Sequence, residues 1–221
     1  MISVAIDGPA GAGKSTIART AAMELDFIYV DTGALYRAVG LACIERGIQT
    51  EETAEVINVL DEISIELVFV KGEQRVLLDG KDVSDEIRTE KASMTASLVS
   101  RIPQVRSFLL ELQRSFSKTN NVIMDGRDIG TVVLPDAQVK IFLTASPEAR
   151  AKRRTLQLQE KGEKPDYNTI LEDIKKRDYN DSHREIAPLK PAKDSVIIDT
   201  TQMSLQQSIE AVKDTIKRRI K

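Results

Sequence analysis

Eight consecutive residues near the amino terminus, Gly8-Pro9-Ala10-Gly11-Ala12-Gly13-Lys14-Ser15, fit the pattern G-x-x-x-x-G-K-[ST] in full. At ordinary residue frequencies, a chance match in a chain of this length is roughly 1%. The residue types answer one chemical need. Glycines let the backbone wrap a polyphosphate, so that successive N–H groups and a helix amino terminus face its negative charge. Lys14 then reaches the β- and γ-phosphates, Ser15 ligates Mg²⁺ through its hydroxyl, and the cradle extends to Thr16. The motif lies between an apolar run, 2–7, and a helical stripe of Ile17, Ala18, Ala21, Ala22 and Leu25, the context it requires. The expected ligand is a nucleoside triphosphate.

Other chemistry-bearing residues cluster where segments end. Asp31 to Arg37 (DTGALYR) opens a helix after a second apolar run, and Asp125-Gly126-Arg127-Asp128 follows the run 122–124. The carboxyl ends of strands are where α/β sheets place ligands. Arg177 and Asp181 are four apart on one helical face, and Arg184 lies about a turn further on. An acceptor that is itself a phosphate calls for several guanidinium groups, each able to grip it through two hydrogen bonds. Taken singly, these residues also suit solvated helix ends or a surface ion pair. Asp125 either supports the metal through water or serves as a plain strand-end hydrogen-bond partner.

The elements that must position these groups alternate. Strand patterns at 27–31, 122–125, 139–144 and 196–199 are separated by helical patterns at 34–46, 147–161, 167–184 and 204–221, which implies a parallel sheet covered by helices on both faces. One stretch breaks the rhythm. Ile63, Ile65, Leu67 and Phe69 alternate with Ser64, Glu66, Val68 and Val70, and turns at 71–73 and 79–81 predict a small antiparallel meander inserted into the α/β body. Helical patterns resume at 88–101 and after Pro103.

Composition narrows the class. The chain has 221 residues, 41% hydrophobic and 30% charged, with a net charge of −2. That is an ordinary globular balance, without the basic excess of a nucleic-acid binder. Aromatics are 4% with no Trp, so base-stacking material is scarce. The single cysteine, Cys43, forms no internal disulfide. No apolar stretch approaches the roughly 20 residues of a membrane span, and the start of the chain lacks a basic targeting region, so a cytoplasmic monomer is expected. GTPases usually read guanine with Asn-Lys-x-Asp, and no Asn here is followed by Lys. A kinase acting on a small acceptor remains, with a nucleotide-switched regulatory or RNA-binding module as the rival from another class.

Taken together, IDGPAGAGKST (6–16), DTGALYR (31–37), DVSDEIR (82–88), MDGRDIGTVVLPDA (124–137) and RDYNDSHREIAPL (177–189) resemble the bacterial cytidylate kinases over nearly the whole chain. The resemblance implies a P-loop kinase transferring the γ-phosphoryl of MgATP to CMP or dCMP, with a small antiparallel β insert in the acceptor-binding region and a helical lid. It implies one unit, with core at about 1–62, 103–147 and 190–221, insert at 63–102, and lid with its following helix at 148–188. It further implies that Arg37, Arg127 and Arg184 hold the acceptor phosphate, that Ser97, Arg106 and Asp128 read cytosine, and that Arg177 and Asp181 hold the sugar. Thr32 keeps a hydroxyl near the acceptor. Arginines of the lid helix would close over the transferred phosphate and flank the adenine; Arg153 and Arg154 are both candidates, Arg154 for the catalytic role and Arg153 for ATP. Other nucleoside monophosphate kinases, with a different base choice, are the nearest alternative. His183 is expected to be a solvated helix residue, Cys43 a core residue and 213–221 a basic helix end.

Overall fold

A computed structural model describes residues 1–50, 53–70 and 72–220. The chain runs β1 (Ser3–Asp7), α1 (Lys14–Leu25), β2 (Ile28–Asp31), α2 (Thr32–Glu45), α3 (Thr53–Glu62), β3 (Ile65–Val70), β4 (Glu73–Leu78) and β5 (Lys81–Asp82). It continues through a 3₁₀ turn (Glu86–Arg88), α4 (Glu90–Val99), α5 (Pro103–Thr119), β6 (Val122–Gly126) and a π-helical turn (Ile129–Val133). The remainder is β7 (Val139–Thr144), α6 (Pro147–Glu160), α7 (Tyr167–His183), β8 (Val196–Asp199) and α8 (Leu205–Arg219).

Five strands form a parallel sheet in the order β2-β6-β1-β7-β8, and β3-β4-β5 form a separate antiparallel sheet. Because side chains alternate along a strand, each central strand feeds two cores. Ala5, Val30 and Met124 join α2, α4 and α5 on one face, whereas Val4, Ile6, Tyr29 and Ile123 join α1 and α8 on the other. The small sheet has no separate core. Its Leu67, Val76 and Leu78 pack into the same cluster as Leu35 and Val39 of α2.

Register brings the chemistry together. Ile6 pairs with Asp125 and Asp7 with Gly126, so the loops leaving β1 and β6 emerge side by side. Gly8 has φ 150°, and a Cβ there would strike the backbone oxygen of Leu143 on β7. Only glycine lets the chain turn out of the sheet at this point. A Cβ on Gly126 would come within 2.8 Å of the Thr32 hydroxyl.

Element boundaries differ from expectation by a residue or two, mostly because caps take the terminal positions. Asp31 and Ser204 cap α2 and α8 through their side chains, so these helices begin at Thr32 and Leu205. Arg184 lies outside α7, in extended backbone at its end, rather than one more turn along the helix. Three elements are additions to the expected set: α3, the 3₁₀ turn and the π-helical turn. The turn expected at 71–73 contains Gly72 at φ 81°; Lys71 lies outside the described residues, as does Lys221 of the expected basic helix end. Among the described residues, no helix is long and apolar enough to cross a membrane.

Candidate active site

Lys14, at the start of α1, is 5% exposed, and its ammonium donates to the Pro9 carbonyl at 2.9 Å. Burial, then the nearby Arg127 guanidinium, pull its pKa down to about 7, against the opposing pull of Asp125, Asp7 and Asp181. Asp125, at the end of β6, accepts from the Ser15 hydroxyl at 3.0 Å and from the Tyr29 phenol at 2.8 Å. Its backbone carbonyl accepts from the Thr32 hydroxyl at 2.8 Å. Burial and then the neighbouring Asp31 push the Asp125 carboxyl up to about 6. Asp7 accepts the backbone N–H groups of Ile129 and Gly130 at 2.7 and 2.8 Å, and burial raises it to about 6 as well. Two reluctant acids and a reluctant base thus share one buried space. A polyphosphate with its cation supplies the opposite charges that each group lacks.

The oxygens of Ser15 and Asp125 suit a hard cation of the Mg²⁺ type, which takes one or two protein oxygens and completes its shell with phosphates and water. No group of three or more His, Cys, Asp or Glu side chains disposed to hold a metal occurs among the described residues. A nucleotide-borne Mg²⁺ needs no such group.

Facing this loop is a wall of paired arginines. Arg37 of α2 bonds Asp31 at 2.8 Å, and Arg127 bonds Asp181 through Nε at 2.9 Å. Arg106 of α5 is hydrogen-bonded to Asp128, lies 5.8 Å from the Tyr36 ring centroid and donates to the Ser100 carbonyl at 3.4 Å. Arg184, with its side chain only 5% exposed, stands 3.7 Å from the other oxygen of Asp128. Among the described residues, three donors in this wall are buried with no hydrogen-bond partner: Nε of Arg37, Nε of Arg177 and Nη2 of Arg184. Buried donors are costly to leave unpaired, so several here point to a missing anion or acceptor. Burial lowers the pKa of Arg177 and Arg184. At Asp181, burial works to raise the pKa, but Arg127, Arg177 and Arg184 together hold it below the usual carboxylate range.

The surface ion pair that helical spacing allowed between Arg177 and Asp181 does not form among the described residues; Asp181 takes Arg127 as its ion partner. Ser97 is half-buried on α4, one turn before Ser100, and its own hydroxyl makes no hydrogen bond among the described residues. In α6, Arg153 donates to the Thr200 carbonyl at 2.5 Å, whereas Arg154 is exposed and has no side-chain partner among the described residues. Arg150 is buried; it bonds the Ala10 carbonyl of the loop at 3.0 Å and Asp178 of α7 at 2.5 and 2.9 Å. A cleft of about 480 Å³ opens beside the loop, bordered by Pro9, Thr144, Arg150, Asp178, Asp199 and Thr201.

Sequence reasoning missed Asp7, Tyr29 and the Arg150–Asp178 pair. Asp7 carried a visible signal, a carboxylate immediately before the glycine loop; Tyr29 carried none. The residues read as solvated, core or helix-end positions lie as follows. His183 is exposed and stacks on Tyr179, Cys43 is buried, and Lys213 pairs with Glu24 and Glu210.

The sequence profile of the cytidylate kinase family matches residues 4–218. A cytidylate kinase of Caldicellulosiruptor saccharolyticus is 51% identical over 211 residues, covering 96% of this chain and 93% of that one. One of Lactobacillus johnsonii is 47% identical, covering 100% and 96%. A crystal structure of an uncharacterised Eubacterium ventriosum protein shares the fold alone, with a TM-score of 0.55, 13% identity and 99% of both chains covered.

Proposed function

The chain belongs to the cytidylate kinase family and is a phosphotransferase; from that premise we propose that it moves the γ-phosphoryl of MgATP to CMP or dCMP by in-line transfer, releasing ADP and CDP or dCDP. The carrying observation is the pairing of a complete phosphate loop with a facing wall of arginines, three of whose buried donors have no hydrogen-bond partner among the described residues.

The acceptor's attacking oxygen is already anionic, so transfer calls for neither a general base nor a covalent intermediate. What the chain must supply is alignment and charge. The loop amides and Lys14 hold the donor phosphates, with Thr16 and Arg153 completing the ATP side. Arg37, Arg127 and Arg184 grip the acceptor phosphate, and Thr32 keeps a hydroxyl beside it. Arg177 and Asp181 take the sugar, the carboxylate accepting from the 2′-hydroxyl. Ser15 directly and Asp125 through water are the oxygens that would hold Mg²⁺, which when bound neutralises charge on the phosphates. We assign residues 148–188 as a lid that closes over the reacting groups and excludes water, with Arg154 turning onto the transferred phosphate. Its exposure and its lack of a side-chain partner among the described residues support that freedom.

Base choice follows from Asp128, assisted by Arg106 and Ser97. Cytosine offers an amino donor at position 4, which a carboxylate accepts; uracil offers a carbonyl, and two acceptors then face each other. An unsatisfied buried polar group costs about 1–3 kcal/mol, which corresponds to a preference of about 5- to 150-fold.

ADP release from MgATP against CMP, dCMP, UMP, AMP and GMP tests this reading. Strong turnover with CMP and dCMP, weak with UMP and none with purines is the expected pattern. Turnover with a purine would retain the kinase and discard the base-reading residues.

A further inference from the structure

The acceptor wall rests on an edge of the main sheet that a side chain closes at Asp31. Among the described residues, strand β2 is outermost and pairs only with β6. Its last residue, Asp31, turns both its N–H and its C=O toward the open side, as one residue of a strand does. Gln74 of β4 meets both. Its Oε1 accepts the Asp31 N–H at 2.8 Å, and its Nε2 donates to the Asp31 carbonyl at 3.2 Å. A carboxamide carries one donor and one acceptor in the geometry of a peptide group, so Gln74 substitutes for a residue of an absent neighbouring strand.

Asp31 is also the fixed point of Arg37. One carboxylate oxygen accepts from the Ala34 N–H at 3.1 Å, capping α2, and the other holds the Arg37 guanidinium at 2.8 Å. The corner has no slack, since a Cβ on Gly33 would come within 3.1 Å of both Arg37 and the Asp31 carboxylate. Asp31, Arg37 and Gln74 line a common crevice with Arg19 and Arg88. A displacement of Gln74 therefore passes through the Asp31 backbone to the Arg37 side chain.

We propose that Gln74 is a positioning residue for the phosphoryl acceptor: its carboxamide completes the free edge of β2 and so sets where Asp31 holds Arg37. This rests on the reading of Arg37 as an acceptor-phosphate ligand. It gives the small antiparallel sheet a specific task, because β4 carries this amide across from the insert to the core.

The test is steady-state kinetics on Gln74→Leu and Gln74→Glu, with thermal melting to establish folding. Leu removes both hydrogen bonds. Glu keeps the shape but sets an acceptor against the Asp31 carbonyl, and it serves should the Leu variant not fold. Both variants raise the KM for CMP about 10-fold, leaving the KM for ATP and kcat near wild type. In an Arg37→Lys background the same substitutions add little, because their effect runs through Arg37. Folded variants that leave the KM for CMP unchanged would overturn the proposal. So would equal shifts in both KM values, or full additivity with Arg37→Lys, either of which marks a merely structural role. A wild-type protein with no CMP-dependent ADP release would overturn the kinase reading itself, and this inference with it.

Discussion

The phosphate loop and the arginine wall face one another but are built by opposite means. The loop is eight consecutive residues between β1 and α1, and its Lys14 is held by a carbonyl five positions away. The wall is gathered from α2, α5, the end of β6, α7 and the segment after α7, and nearly every guanidinium in it already holds a carboxylate. The difference has an electrostatic cause. Backbone N–H groups can wait unpaired beside solvent at little cost, whereas several buried guanidiniums repel one another. Asp31, Asp128 and Asp181 hold the wall together when no anion is bound. Among the described residues, Nε of Arg177 has no hydrogen-bond partner; the proposed function gives that donor to the acceptor.

If the two sides are separable, removing the loop's charge should cost chemistry without costing acceptor binding. Lys14→Met is expected to lower kcat by about 10²–10³-fold or more, while calorimetry of CMP binding stays near wild type. Equal losses in both would show that loop and wall act as one unit. The lid should behave as an extension of the donor side. Arg154→Gln lowers kcat by about 10- to 100-fold without a change in melting temperature, since the side chain is exposed and has no partner among the described residues. Unchanged kinetics would remove Arg154 from the chemistry.

On the wall, Asp181→Asn releases Arg127 and weakens the sugar contact. The KM for CMP rises about 10-fold. The KM for dCMP, which lacks the 2′-hydroxyl, rises less; equal effects on the two acceptors would remove the sugar role. The smallest expected effect concerns stability. The Asp7 pKa is raised from 3.8 to about 6 in the folded state, so the folded chain binds more protons than the unfolded chain between those values. Stability contributed at low pH is then lost as pH rises through about 4 to 6. Asp7→Asn flattens that part of the profile in urea titrations of the unliganded protein, by on the order of 1–3 kcal/mol. An identical profile would mean that Asp7 does not carry the charge in this window.

These two regions were unequally legible in the sequence. The loop, the parallel strands and the meander carry local patterns: a contiguous motif, apolar runs and period-two alternation. The arginines were visible as residues, yet their roles came from family resemblance, and the pairing of Asp181 with Arg127, 54 residues away, had no local signal. Contacts that close the site span long separations, with 43 residues between Gln74 and Asp31, 96 between Tyr29 and Asp125 and 122 between Asp7 and Ile129. No local pattern encodes them. Helix α3 was readable from the spacing of Val56, Val59 and Leu60, but it carries none of the motifs on which the site was read.

The most direct test of the wall as the reader of the acceptor is the ratio of kcat/KM for CMP to that for UMP, measured in wild type and in folded Asp128→Asn. The carboxamide introduced by this substitution keeps the shape of the side chain and offers a donor to the uracil carbonyl. The account predicts that the ratio falls by about 10-fold or more. A folded variant that retains the wild-type preference for CMP would contradict it, because the base would then be read by other residues.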